Sequence, residues 1–176
     1  MDESRRTGTS HEPFALALEL ACGLSDLSGV HHTGLHVRDL ARSVAFYRDL
    51  LGLQVVAERE ARADYVGEVV GYPGATIRMA WLRHPDGGPI LELLQYVDPA
   101  GTPVDTATPN PGTAHVAFSV PDIRATFDRL RAAGVPFRTA APVAITAGAN
   151  RGGYAAYFLD PDGITLDLLQ PPTSTG

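Results

Sequence analysis

Cysteine is almost absent from the sequence, since Cys22 is the only one in 176 residues. A lone cysteine cannot form a disulfide within its chain, and a thiol without a partner is typical of a reducing compartment, so we expect a cytoplasmic protein. Long apolar runs are also missing, because none approaches the roughly 20 residues that span a bilayer. The run that begins at Phe14 is interrupted by Glu19 and is a poor match to a secretory signal. We therefore expect no membrane partner.

Basic residues are scarce as well. The chain has 14 Lys and Arg against 20 Asp and Glu, which gives a formal net charge of −6 at pH 7. No basic run is longer than Arg5-Arg6, so the positive patch of a nucleic-acid-binding protein is lacking and we expect no nucleic-acid partner. A neutral or cationic small-molecule substrate is compatible with this charge.

The sequence predicts two copies of the order strand, helix, strand, strand, strand. The predicted organisation is, in chain order, a tail with an appended helix at Pro13–Leu24 (1–28), a first module (29–97), a proline-rich linker (98–112), a second module (113–171) and a short tail (172–176). The predicted strands are Val30–Arg38, Leu53–Glu60, Thr76–Arg83, Pro89–Tyr96, Thr113–Val120, Val135–Thr139, Tyr154–Leu159 and Gly163–Gln170. Asp39 and Asp122 are expected to begin the main helix of each module, and Tyr65–Gly74 to form a short helix or a lid-like loop.

The two modules repeat each other residue by residue. His32-x-x-Leu35-x-Val37-x-Asp39-Leu40 matches a stretch from His115 to Ile123 at a constant offset of 83 residues. Each module also ends in a strand with a central carboxylate, which is Glu92 in the first and Asp167 in the second. Strand alternation predicts that these two histidines and two carboxylates all point away from the helices.

Burying two carboxylates beside two histidines without a cation is costly. A divalent ion removes that cost, and imidazole nitrogen with carboxylate oxygen suits Zn, Ni, Co, Mn or Fe(II). The four side chains meet if the sheets of the two modules face one cavity. A hydrogen-bond network without metal, or modules that face in different directions, are the alternatives that the residues leave open.

These stretches resemble the vicinal oxygen chelate superfamily, which includes glyoxalase I, methylmalonyl-CoA epimerase, extradiol dioxygenases and bleomycin resistance proteins. The resemblance rests on VHHTGLHVRDLARSVAFYRDLLGLQVV, PILELLQY, TAHVAFSVPDIRATFDRLRAAGV and YFLDPDGITLDLLQ. It implies an α+β fold in which two tandem βαβββ modules form a cupped, half-barrel mixed sheet with helices outside. It also implies that His32, Glu92, His115 and Asp167 hold one divalent metal ion, although the family usually has Glu where this chain has Asp167.

The resemblance favours a metal-dependent lyase, isomerase or epimerase that moves a proton on a substrate chelated through neighbouring oxygens. Asp167, Glu92 and His36 are the candidate catalytic residues, His36 because it follows His32 on the same strand face. One alternative is an Fe(II) extradiol-type dioxygenase that uses His32, His115 and Asp167. A second alternative is a non-catalytic drug-binding protein of the bleomycin-resistance kind.

Substrate contacts are expected in the variable segments, because loops on a rigid scaffold carry specificity. We assign Tyr65, Arg151 and Tyr154 to substrate binding, with Arg151 suited to a carboxylate or phosphate. We expect a homodimer. Members of the superfamily build the metal cup either within one chain or across a dimer, and the linker length permits both.

Overall fold

The computed structural model describes residues 28–173, so the helix expected at Pro13–Leu24 lies outside the described residues. Its elements in chain order are β1 (His32–His36), α1 (Leu40–Ala45), a π-helical turn (Phe46–Leu50), β2 (Gln54–Ala61), α2 (Asp64–Val70), β3 (Thr76–His84), β4 (Gly87–Asp98), β5 (Val116–Ser119), α3 (Ile123–Ala132), β6 (Val143–Ala144), β7 (Tyr154–Leu159) and β8 (Thr165–Gln170). None of the helices in residues 28–173 has the length and apolar character needed to cross a bilayer.

Each module contributes one four-stranded mixed sheet, which confirms the predicted α+β fold of two βαβββ modules. The strand orders are β1-β4-β3-β2 and β5-β8-β7-β6. In each sheet the first strand of the module runs parallel to the last, and the other neighbours are antiparallel. The half-barrel sheet that the resemblance implies is thus formed, in residues 28–173, by two separate four-stranded sheets, one from each module.

The main helix of each module begins in the same way. The side chain of Asp39 accepts a hydrogen bond from the backbone N–H of Arg42, and that of Asp122 accepts one from Ala125. These N-caps satisfy backbone donors that the first helical turn leaves free. A glutamine from the last strand then anchors each helix, because Gln95 accepts from the N–H of Leu40 and Gln170 from that of Ile123. The sequence repeat is therefore also a repeat of hydrogen bonds.

The strand predicted at Val135–Thr139 is wrong. Within this segment Phe137 makes an isolated bridge to Phe158, and the strand beside β7 is the two-residue β6. Pro136 has no N–H to donate to a neighbouring strand. The apolar residues of this segment are explained by packing, because the centroid of the Phe137 ring lies 4.1 Å from that of Phe127. The segment therefore pairs with β7 only around Phe137, through Arg138 N–H to the carbonyl of Tyr157 and Leu159 N–H to that of Pro136, and does not form a full strand.

One apolar core joins the helix-bearing faces of both modules. Across it, the hydroxyl of Tyr47 donates to Asp160 at 3.1 Å, and the Arg129 guanidinium donates to the carbonyl of Leu50 at 2.7 Å. The fully buried side chains of this core include Tyr47, Leu82, Leu93, Ile123, Phe127, Leu130, Phe158, Leu166 and Leu168. The helices α1 and α3 thus lie away from the histidine-bearing faces of their sheets, as predicted, and share the core between the modules.

A second, smaller core covers part of the other face of the first sheet. Here α2 packs Val66 over Ala61, Ile77 and Met79. Gly67 allows this close approach, because a Cβ at this position would lie 2.8 Å from the backbone oxygen of Tyr72. Since Ile77 and Met79 share a strand face with Trp81, α2 closes one end of the face on which Glu92 lies.

Candidate metal centre

The first histidine–carboxylate pair lies on the neighbouring parallel strands β1 and β4. Nε2 of His32 is 3.2 Å from Oε2 of Glu92, and the side chains are 40% and 11% exposed. Gly34, which is the register partner of Glu92, places no side chain over the pair; a Cβ there would lie 3.3 Å from Cδ1 of Leu94 and 3.9 Å from Oε2 of Glu92. The pair is therefore partly desolvated but still reachable from the His32 side.

Trp81, which no sequence motif singles out, also contacts Glu92. It lies opposite Glu92 in the β3–β4 ladder, and its indole N–H donates to Oε1 at 2.6 Å. Its ring stacks beside that of His32 at a centroid distance of 6.4 Å. His31, which precedes β1, places Nδ1 2.9 Å from Nδ1 of His32. Strand alternation alone would have placed Trp81 on the face of Glu92, but the register shift between Leu82 and His84 hides their direct pairing from a count back through the hairpin.

The second histidine and carboxylate occupy the repeat-equivalent positions of the other module. Asp167 lies on β8 between Ala117 of β5 and Tyr157 of β7, and His115 immediately precedes β5. Nε2 of His115 is 3.4 Å from the Tyr157 hydroxyl. Burial raises the pKa of the Asp167 carboxyl, while the backbone N–H of Ala156 and the nearby His115 oppose the shift. Within residues 28–173, Oδ1 of Asp167 is buried and has no hydrogen-bond partner.

The structure brings the four predicted ligands together as two pairs and not as one cluster. In the part of the chain that is described, no three His, Cys, Asp or Glu side chains are grouped so that they could hold one metal ion. The reason is the shared core, because the modules of one chain pack through their helix-bearing faces. Residues 28–173 therefore carry two separate histidine–carboxylate pairs and form no single cup around all four side chains.

The third predicted catalytic residue, His36, lies at the other end of β1. Its exposed ring packs against Tyr96 at a centroid distance of 5.5 Å. Both residues line a cavity of about 850 Å³, together with Arg38, Tyr72, linker residues between Val97 and Thr106, and Asp162 of the second module. His36 is thus placed beside a cavity large enough for a small molecule.

The three predicted substrate contacts are not grouped together. Tyr65 is 57% exposed on α2, and Arg151 is exposed in the loop that precedes β7; for both, substrate binding stays a prediction. Tyr154 requires a correction, because its ring packs against the shared core and beneath Arg124 at 5.2 Å. Its strand parity matches that of Ala156 and not that of Tyr157, so it lies on the face opposite Asp167.

Comparison with known proteins agrees with this architecture. The family model of the Glyoxalase/Bleomycin resistance protein/Dioxygenase superfamily matches residues 29–168. A probable lactoylglutathione lyase of Vibrio parahaemolyticus is 31% identical over 142 residues, which cover 79% of this chain and 88% of that protein. A 2-epi-5-epi-valiolone epimerase of Actinomyces is 30% identical over 155 residues, covering 85% and 83%.

A solved glyoxalase family protein from Bacillus cereus has the same fold. It superimposes with a TM-score of 0.72 at 20% identity, and the match covers 85% of this chain and 98% of that one. The strand order, the repeated helix caps and the family model all lead to the same assignment. The chain belongs to the glyoxalase/bleomycin resistance protein/dioxygenase superfamily.

Proposed function

We propose that this protein is a metal-dependent lyase or isomerase of the glyoxalase or epimerase type, and that two copies of the chain build each metal centre. In this proposal His32 and Glu92 of one copy face His115 and Asp167 of a second copy. The observation that carries it is the presence of two separate histidine–carboxylate pairs at repeat-equivalent positions. Relatives named as a lactoylglutathione lyase and an epimerase support the reaction class.

The residues present fit a divalent ion. Two imidazole nitrogens and two carboxylates form a mixed N/O donor set that suits Zn, Ni, Co, Mn or Fe(II). The buried Oδ1 of Asp167, which has no partner among the described residues, is costly as an isolated group. A cation brought within reach by a second copy would satisfy it. The homodimer is thus part of the proposal, because each pair is incomplete alone.

In this proposal, different residues of the chain hold the metal ion, transfer the proton and bind the substrate. A bound divalent ion supplies Lewis-acid polarisation of a substrate oxygen. Asp167 is the group we assign to taking a proton from carbon and returning it, since its carboxylate is partly desolvated and has an oxygen free of hydrogen bonds within residues 28–173. Glu92 is held by Trp81 and serves as a ligand. His36 and Tyr96 line the cavity in which the rest of a small-molecule substrate would lie.

Elemental analysis tests the proposal at its first step. Protein purified without chelator or affinity-tag metal is expected to contain about one equivalent of metal per chain. His115→Ala should lose it, whereas His84→Ala should keep it, because His84 is exposed at the end of β3, beside Asp86. Absence of metal after reconstitution with each candidate ion would contradict the proposal and leave a binding protein.

Exchange of substrate hydrogen with solvent tests the chemistry. In D2O, the metal-loaded protein is expected to catalyse deuterium incorporation at carbon next to the carbonyl of small hydroxy-carbonyl compounds. Asp167→Asn should abolish the exchange because an amide does not accept the proton, while Asp128→Asn, an exposed change on α3, should not. Iron in the protein, together with oxygen uptake when a catechol is added, would contradict the proposal and support the Fe(II) dioxygenase alternative.

A further inference from the structure

We infer that Trp81 is a positioning residue that holds Glu92 in the orientation in which it binds the metal ion. The inference rests on the proposed metal centre. The two oxygens of Glu92 have different partners, since the Trp81 indole N–H donates to Oε1 at 2.6 Å and His32 Nε2 lies 3.2 Å from Oε2. The first contact leaves the second oxygen directed toward the histidine. A carboxylate fixed in this way loses less side-chain entropy when it binds.

An indole suits this task for a chemical reason. Its N–H is a donor only, so it satisfies a carboxylate oxygen without taking up a proton and without competing for a metal ion. A hydroxyl or an amide in the same place would be able to turn and accept instead. The indole therefore keeps Oε1 occupied and leaves Oε2 available.

Trp81 is itself held firmly. It lies in the interior of the first sheet, paired with Ala57 of β2 on one side and with Glu92 of β4 on the other. The Arg59 guanidinium lies 6.0 Å from the ring centroid, and the His32 ring is tilted by only 22° from the indole plane. A donor on such a platform positions its acceptor more closely than a donor on a loop would.

The second module uses the equivalent position differently. Tyr157 is paired with Asp167 as Trp81 is paired with Glu92, but its hydroxyl lies near Nε2 of His115. Within residues 28–173, Oδ1 of Asp167 is left without a partner. The module with Trp81 thus holds its carboxylate by a side-chain hydrogen bond, whereas in the other module one carboxylate oxygen has no partner among the described residues. This difference agrees with Glu92 as the held ligand and Asp167 as the group that exchanges a proton.

Metal titration tests the inference by a readout other than activity. By calorimetry with Zn²⁺, Trp81→Phe is expected to raise the Kd about 10- to 100-fold, with the stoichiometry and the circular dichroism unchanged. Ile77→Val, on the same strand face and with no polar atom to lose, is the matched control and should bind as the wild type does, since it removes only a methyl group. Equal affinity of Trp81→Phe and wild type would overturn the inference. Failure of the wild type to bind metal would instead overturn the proposed function.

A second measurement covers the case in which Trp81→Phe does not fold. Trp81 is the only tryptophan in the chain, so the indole N–H gives a single NMR resonance. This resonance is expected to shift when Glu92 is changed to Gln, because a charge-assisted hydrogen bond becomes a neutral one. It should not shift with Glu68→Gln, which alters an exposed residue of α2. An indole N–H resonance with the same chemical shift in the wild type and in Glu92→Gln would contradict the hydrogen bond between Trp81 and Glu92.

Discussion

Tyr47→Phe removes the buried hydrogen bond that links the two modules. The Tyr47 hydroxyl donates to Oδ2 of Asp160 at 3.1 Å, and both residues are buried at 0% and 4% exposure. Burial and the neighbouring Asp160 raise the pKa of Tyr47, so the hydroxyl is protonated and donates at pH 7. Oδ1 of Asp160 accepts from the backbone of Asp162 and Ile164. Loss of the hydroxyl therefore leaves only Oδ2 without its donor.

The magnitude follows from the charge on the acceptor. A hydrogen bond to a charged group contributes about 1.5–3 kcal/mol, so Tyr47→Phe is expected to lower the free energy of unfolding at pH 7 by that amount. For a chain of this size, this corresponds to a fall in Tm of about 3–12 °C. Urea denaturation at equal protein concentration measures it, with Tyr65→Phe as an exposed control. A change below about 0.5 kcal/mol in Tyr47→Phe would refute the assignment of this contact as a stabilising link between the modules.

Two further predictions concern Asp160 and Gly67. Burial raises the pKa of Asp160 from its ordinary value of 3.8, so its ionisation is more costly in the folded protein than in the unfolded one. The free energy of unfolding of the wild type, relative to that of Asp160→Asn, should therefore fall as pH rises from about 4 through that raised pKa, and then level off. If urea titrations give the same difference between the two proteins at every pH, the prediction is contradicted. Gly67→Ala should lower the free energy of unfolding by about 1–3 kcal/mol, because the added Cβ would lie 2.8 and 2.9 Å from backbone atoms. The control Gly101→Ala should lower it little, because the space around Gly101 is open. Equal stability of these two variants would refute the close packing of α2.

The local features of the site could be predicted from the sequence because they follow from spacing. The period of two in a strand places Glu92 and Asp167 on the faces opposite Leu91 and Leu166, and the structure has them there. The Asp caps follow from helix-start chemistry. The same parity would have placed Tyr154 on the helix face beside Ala156 and Phe158, so that error came from assigning a tyrosine by its chemistry and not by its strand position.

The relation between the modules could not be predicted in this way. Whether the two histidine faces meet within a chain depends on which sheet faces pack together. The deciding contacts, such as Tyr47 with Asp160 and Arg129 with the carbonyl of Leu50, join residues 113 and 79 positions apart. No local pattern encodes such a pairing. The role of Trp81 was missed for a similar reason, because it depends on the register of a hairpin.

Subunit mixing tests most directly whether two chains share each metal centre. One variant lacks the first pair (His32→Ala and Glu92→Ala) and the other lacks the second pair (His115→Ala and Asp167→Ala), so neither should bind metal alone. In a mixed dimer one of the two centres regains all four ligands. After equal amounts are unfolded together and refolded, half of the dimers are mixed, and the metal content should reach about a quarter of the wild-type value. A mixture that binds no metal, while the wild type treated in the same way does, would contradict the account.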